Sequence, residues 1–172
     1  YNMFETKQTL CFTIMNLNSL AKKFSYELKK KKIKLCLAES ITGGMLASEI
    51  TKIKGASDFF EFSIVCYSNQ SKSSFFDIQK QIKKENIVSP QIAELMSKKI
   101  IKYSKSKNIL AISCTGLASN DFKKKYKVPV GTVFIGITYK NNTKVYKKRI
   151  ISMSRVNTIK LVTKEMIIKS LE

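Results

Sequence analysis

Apolar positions along the chain alternate between helical stripes and short buried runs. Leu17, Leu20, Ala21, Phe24 and Leu28 share one helical face. The basic run Lys29–Lys32 follows, where a helix dipole favours cations. The run from Ile33 to Leu37 predicts a strand, and Met45 to about Lys52 predicts a helix that Gly55-Ala56-Ser57 breaks. A second, mostly buried strand is expected from Phe62 to Tyr67, then a short helix from Ser71 to Phe76. Ser89 and Pro90 suit the cap and first position of a helix whose stripe is Ile92, Ala93, Met96 and Ile100. A third strand starts at Ile109 and ends in Cys114-Thr115-Gly116; a polar, Lys-rich loop covers 117–128. Strands over Gly131–Tyr139 and Thr143–Ile151 flank Asn141-Asn142, a pair suited to the positive φ of a tight hairpin. Ser154 is placed to cap a final helix that turns Ile159, Val162, Met166 and Ile167 inward. Helices between buried strands, then a hairpin, predict a mixed sheet with helices on both faces. No repeat or long linker interrupts residues 16–172, which read as one domain behind an N-terminal extension, 1–15, expected to be loosely ordered.

The segment between the first strand and second helix carries the candidate chemistry. It reads Ala38-Glu39-Ser40-Ile41-Thr42-Gly43-Gly44. Two adjacent glycines allow positive φ and close approach of a ligand. N–H groups at a helix start favour an oxyanion or a phosphate. A serine there is a candidate nucleophile; the plainer reading makes Ser40 or Thr42 the helix N-cap. The chain contains no histidine. That excludes a Ser-His-Asp triad, a Cys-His pair and His-ligated metals, and leaves Lys, Tyr, Asp or Glu as the base for Ser40.

Composition narrows the class. A chain of 172 residues with 44% hydrophobic content buries a sizeable core and is not a disordered segment. Its apolar runs are too short to span a bilayer, so no membrane partner is expected. Cys11, Cys36, Cys66 and Cys114 include no CxxC pair, and three of them fall in strand-like runs. This pattern predicts buried free thiols in a reducing cytoplasm. The net charge of +20 comes almost wholly from scattered lysines, without interleaved aromatics. It reads as a solvated basic surface rather than a specific nucleic-acid site. Glu39, Asp58 and Glu61 have no metal-ligand spacing, so no metal is expected.

Six short motifs in order resemble one family. They are Ala38-Glu39-Ser40-x-Thr42-Gly43-Gly44; Gly55-Ala56-Ser57; Tyr67-Ser68-Asn69-x-x-Lys72; Val88-Ser89; Thr115-Gly116-x-Ala118; and Pro129-Val130-Gly131-Thr132-Val133. Across about residues 16–171 the chain resembles the C-terminal domain family of competence/damage-inducible protein A (CinA), whose characterised members deamidate nicotinamide mononucleotide. The resemblance implies a three-layer α/β/α sandwich. It also implies an amidohydrolase of the pyridine nucleotide cycle, serving NAD recycling, that releases nicotinic acid mononucleotide and ammonia. The partner it implies is a small pyridine nucleotide, with no cofactor and a homo-oligomer, expected as a dimer.

On that resemblance Ser40 is the nucleophile, Lys72 the base, and Tyr67 relays the proton or fixes Lys72. Backbone N–H groups at Thr42–Gly44 are expected to hold the oxyanion. Glu39, Thr42, Gly43, Gly44, Asn69, Thr115, Gly116 and Arg155 are expected to contact substrate, Arg155 at the phosphate. Three segments depart from the family, one of them the final helix, where Lys160 stands in place of an expected second arginine. Ile41 stands where the family usually has Cys. After Thr115-Gly116, where the family continues Ala-Gly-Pro, this chain reads Ala118-Ser119-Asn120-Asp121. The altered 119–125 loop supports a different reading, a catalytically degenerate nucleotide-binding or protein-interaction module of the same fold.

Overall fold

The structure, a computed structural model, describes residues 11, 12, 14–119, 128–151 and 154–172. Helix α1 (Leu17–Lys30) begins at Asn16, whose side chain accepts the Ser19 N–H at 2.8 Å, and buries the predicted Leu20, Ala21, Phe24 and Leu28. Strand β1 (Lys34–Glu39) follows, then helix α2 (Met45–Thr51) and a 3-10 turn at Ala56–Asp58. Strand β2 spans Phe60–Val65, helix α3 Asn69–Phe76, helix α4 Gln79–Glu85 and helix α5 Pro90–Ile100. Ser89 caps α5 and Pro90 starts it, as the sequence predicts. Strands β3 (Ile109–Gly116), β4 (Thr132–Tyr139) and β5 (Asn142–Arg149) precede helix α6 (Arg155–Leu171), which Ser154 caps.

The five strands lie in the order β2-β1-β3-β4-β5. β1 pairs in parallel with both β2 and β3, whereas β3–β4 and β4–β5 are antiparallel. Period-two alternation sends Leu35, Leu37 and Ile112 to one face, where Leu20, Phe24, Leu46, Ile50, Val162 and Met166 cover them. Cys36, Ala38 and Ala111 point to the other, against Phe76, Ile92, Met96 and Ile100. The result is the expected α/β/α sandwich with a mixed sheet. Helix α5 lies close on the sheet because Gly136 has no side chain. A Cβ there would stand 2.4 Å from the Ala93 carbonyl oxygen.

Three local expectations shift. β2 runs 60–65 rather than 62–67; it is an edge strand and only partly buried, since one neighbour is missing. Helix α4 was not foreseen, because Gln79–Glu85 carries one apolar residue, Ile82, and no stripe. The hairpin turns at Lys140 and Asn141, with φ of 47° and 64°, one residue before the expected pair. Asn142 already pairs with Tyr139, and Thr138 meets Thr143 with hydroxyls 2.9 Å apart. A one-residue slip would send Thr143 to the other face and break that pair.

Candidate active site

The sheet order has a reversal point. From β1 the chain crosses to β2 on one side, and then to β3 on the other, so a crevice opens beyond their carboxyl ends. Ser40 follows β1 directly, Thr115 and Gly116 end β3, Tyr67 and Lys72 follow β2, and Arg155 opens α6. A cavity of about 800 Å³ lies there, with Ser40, Tyr67, Asn69, Lys72, Thr115, Gly116 and Arg155 on its wall. Among the described residues its lining contains no carboxylate, and Lys72 and Arg155 make it cationic. Ser119, from the altered loop, also lines it, as do Ser68, Gln70, Asn86 and Ile87, which were not foreseen. Ser68 and Gln70 lie inside the Tyr67–Lys72 motif, but nothing in the sequence brings 86–87 across from α4.

Lys72 reaches Ser40 from the second turn of α3. Ser68 caps α3 and forms a reciprocal capping box with Ser71, which fixes the helix start. Lys72 Nζ donates to Ser40 Oγ at 2.7 Å and to the Cys66 carbonyl at 2.6 Å. The side chain is 1% exposed, with no carboxylate bonded to it. Burial pushes its pKa from an ordinary 10.5 down to about 8, against a smaller opposing pull from Cys66 and Cys114. The Cys66 carbonyl retains one N–H of a neutral amine, so the lone pair can take the Ser40 hydroxyl proton.

The turn itself works differently from expectation. Glu39, Thr42, Gly43 and Gly44 do not line the cavity. Glu39 is wholly buried. Its carboxylate accepts the Thr42 hydroxyl at 2.7 Å, the Leu46 and Ala47 N–H groups at 3.1 and 2.9 Å, and Ser63 Oγ at 3.4 Å. The start of α2 therefore holds an anion of its own. Gly44, at φ 93°, occupies the N-cap position without a side-chain bond, so neither Ser40 nor Thr42 is the cap. Gly43, at φ 60°, returns its N–H to the Ser40 carbonyl at 3.0 Å. The Thr42 N–H is directed at the Cys114 sulfur. Two of the three expected oxyanion donors are thus already engaged. Both glycines do take the positive φ that the sequence predicts.

At the cavity mouth Arg155 donates to Ser119 Oγ at 3.0 Å and to the Tyr67 hydroxyl. Tyr67 is 57% exposed and is bonded to Arg155 rather than to Lys72, which places it at the entrance. Thr115 is buried, and its hydroxyl donates to the Ile87 carbonyl at 2.9 Å, tying the 86–88 segment to β3. Of the altered loop, Ser119 is described; Asn120, Asp121 and the lysines beyond lie outside the described residues. So does most of the 1–15 extension. Cys36, Cys66 and Cys114 are buried free thiols. Among the described residues no group of His, Cys, Asp and Glu is placed to hold a metal ion, and no helix is long and apolar enough to cross a membrane.

Comparison with known proteins agrees with this architecture. The CinA C-terminal domain profile matches residues 17–169. A CinA-like protein of Prochlorococcus marinus subsp. pastoris is 40% identical over 141 residues, which are 81% of this chain and 31% of that protein. A CinA-like protein of Fusobacterium nucleatum is 38% identical over 124 residues, 72% of this chain and 29% of its own. The chain thus spans about a third of the length of the curated relatives it matches. The crystal structure of competence damage-inducible protein A (ComA) from Klebsiella pneumoniae superposes with a TM-score of 0.84 at 20% identity, covering 91% of this chain and 95% of that one. The competence/damage inducible protein CihA of Agrobacterium tumefaciens gives 0.82 at 22%, covering 90% and 93%. These two likenesses show the fold, and the profile and the curated relatives show the family. The chain belongs to the CinA C-terminal domain family.

Proposed function

We propose that this domain is an amidohydrolase that converts nicotinamide mononucleotide and water into nicotinic acid mononucleotide and ammonia, with Ser40 as nucleophile and Lys72 as base. The observation that carries the reading is the 2.7 Å contact between Lys72 Nζ and Ser40 Oγ, with a lysine held near pKa 8 by burial. An amine in that range is a fair fraction neutral at physiological pH, which suits a general base. Neutral Lys72 takes the Ser40 hydroxyl proton as Oγ attacks the carboxamide carbon. The resulting ammonium then protonates the departing NH₂ group, which leaves as ammonia. Water attacks the acyl-enzyme, Lys72 takes its proton, and that proton returns to Ser40 Oγ as the ester bond breaks.

The carbonyl oxygen becomes negative on the way and needs donors. With the α2 start occupied by Glu39, the Ile41 N–H is the backbone candidate. It follows the nucleophile in sequence and belongs to the cavity wall, the position that supplies one donor at other strand-to-helix nucleophile turns. The phosphate of the nucleotide fits the Arg155 fork, which would exchange Ser119 and Tyr67 for two anionic oxygens. A cationic lining without carboxylates favours such an anionic substrate.

The test is ammonia release from nicotinamide mononucleotide by purified protein, with Ser40→Ala as control. Turnover in the parent and none in the variant is expected. No release by well-folded parent protein would remove the activity and leave the fold as a binding module.

A further inference from the structure

Behind the Ser40 turn, Cys114 is wholly buried at the third pair from the end of β3, and its sulfur lies 3.2 Å from Thr42 Oγ1. We propose that Cys114 is a positioning residue for the nucleophile: its thiol closes a hydrogen-bond chain from Cys114 through Thr42 to Glu39 and holds the Ser40 amide in place. The inference rests on the nucleophile reading above and adds to it a residue that never touches substrate.

The direction of each bond follows from proton counting. The Glu39 carboxylate can only accept, so the single Thr42 hydroxyl proton goes to it, at 2.7 Å. Thr42 Oγ1 is then an acceptor toward Cys114, and the S–H must be the donor. Burial pushes the Cys114 thiol up, which keeps that proton on sulfur. The sulfur lone pairs are left for the Ser40 and Thr42 N–H groups, both of which are directed at it. One side chain therefore donates once and accepts twice. It ties residues 40 and 42 to β3, across the crevice between β1 and β3.

Ser40 Oγ faces the cavity while its own N–H faces Cys114. Fixing the amide fixes the direction in which the hydroxyl leaves the backbone, and so its distance to Lys72. Nucleophilic catalysis is sensitive to small displacements of this kind. Sulfur suits the position because it fills the apolar contact that Cys114 makes within the core and still offers lone pairs.

The experiment uses Cys114→Val, which stays apolar and removes the sulfur while adding a methyl group, and Cys114→Ser, which restores a donor and an acceptor. Two readouts are taken. One is kcat and KM for ammonia release from nicotinamide mononucleotide. The other is the rate at which phenylmethanesulfonyl fluoride labels Ser40, followed by intact mass. In that labelling the Ser40 Oγ–sulfur bond forms, fluoride leaves and Lys72 takes the proton, so no nucleotide is needed. For Cys114→Val we expect kcat and labelling to slow by about tenfold or more with KM little changed, and Cys114→Ser to recover most of both. Wild-type labelling in Cys114→Val would overturn the proposal. Should Cys114→Val fail to fold, Thr42→Val breaks the same chain at its next link, and wild-type labelling there overturns it equally. Parent protein that is labelled at Ser40 but releases no ammonia would refute the amidase reading and leave the positioning role to be judged on labelling alone. Parent protein that neither is labelled at Ser40 nor releases ammonia would refute both.

Discussion

Lys72 is where the sequence reads least like its structural role. In a chain with 32 basic residues, one more lysine suggests solvent, yet this one is buried against a hydroxyl and a carbonyl. Its low pKa makes two predictions. Turnover should rise with pH through about 8 as the amine becomes neutral, and Lys72→Met should lower kcat far more than it raises KM. Stability carries a third. A lysine whose folded pKa is depressed binds fewer protons folded than unfolded between about 8 and 10.5. Wild-type stability therefore gains over that window, relative to Lys72→Met, by on the order of 3 kcal/mol. Urea denaturation of both proteins at pH 7.5 and pH 10.5 measures the difference. A difference that stays constant across the window would show that the amine is not perturbed. Glu39 shows the converse. Its place in a family motif suggests substrate, but its four partners all belong to the protein. Glu39→Ala should cost about 2–4 kcal/mol of stability by leaving buried donors unpaired. Ser40→Ala should leave the melting temperature nearly unchanged while removing turnover.

Elements with a strong apolar period were legible from the sequence, and those fixed by neighbours were not. α1, α5 and α6 each carry a stripe and a side-chain cap, and each lies where that pattern puts it. α4 has no stripe and β2 has one neighbour, so in both the surroundings decide the boundaries. The same division holds in the candidate site. Residues inside compact motifs, such as Ser40 and Lys72, could be named. Wall positions such as Asn86 and Ile87 could not, because Thr115 draws them in through a contact 28 residues away in sequence. The turn joining β1 to α2 offers a test at this scale. A side chain on Gly44, at φ 93°, would sit 3.3 Å from Val65 Cγ2. Gly44→Ala should cost about 1–2 kcal/mol through the left-handed backbone and lower kcat by tilting the nucleophile turn. Chemical denaturation and single-substrate kinetics would check it, and an unchanged pair of values would mean that the turn tolerates a second geometry.

At the scale of the molecule, most of the positive charge lies outside the cavity, which holds Lys72 and Arg155. The lysines are spread over the surface, and several stand on edge strand β5, Lys144, Lys147 and Lys148 among them, where like charge discourages pairing with another chain's edge. Any binding of DNA or RNA should accordingly be weak, indifferent to sequence and steeply reduced by salt. Fluorescence anisotropy with two unrelated oligonucleotides at low and physiological salt tests this; tight preference for one of them at physiological salt would give the basic surface a specific role.

The dyad also has an address within the chain. Ser40 and Lys72 are 32 residues apart, both supplied by the β1-α2-β2-α3 stretch. Thr115, Ser119 and Arg155, on the facing wall, come from β3, the loop after it and the start of α6. On the proposed reading the reacting pair comes from the earlier half of the chain, while the cavity wall draws on both, Tyr67 and Asn69 from the first and Thr115, Ser119 and Arg155 from the second. Under that reading, substitutions in the later half would alter which molecule is admitted while leaving the Ser40–Lys72 pair intact, so new specificities could be explored by changing 115–155 around it.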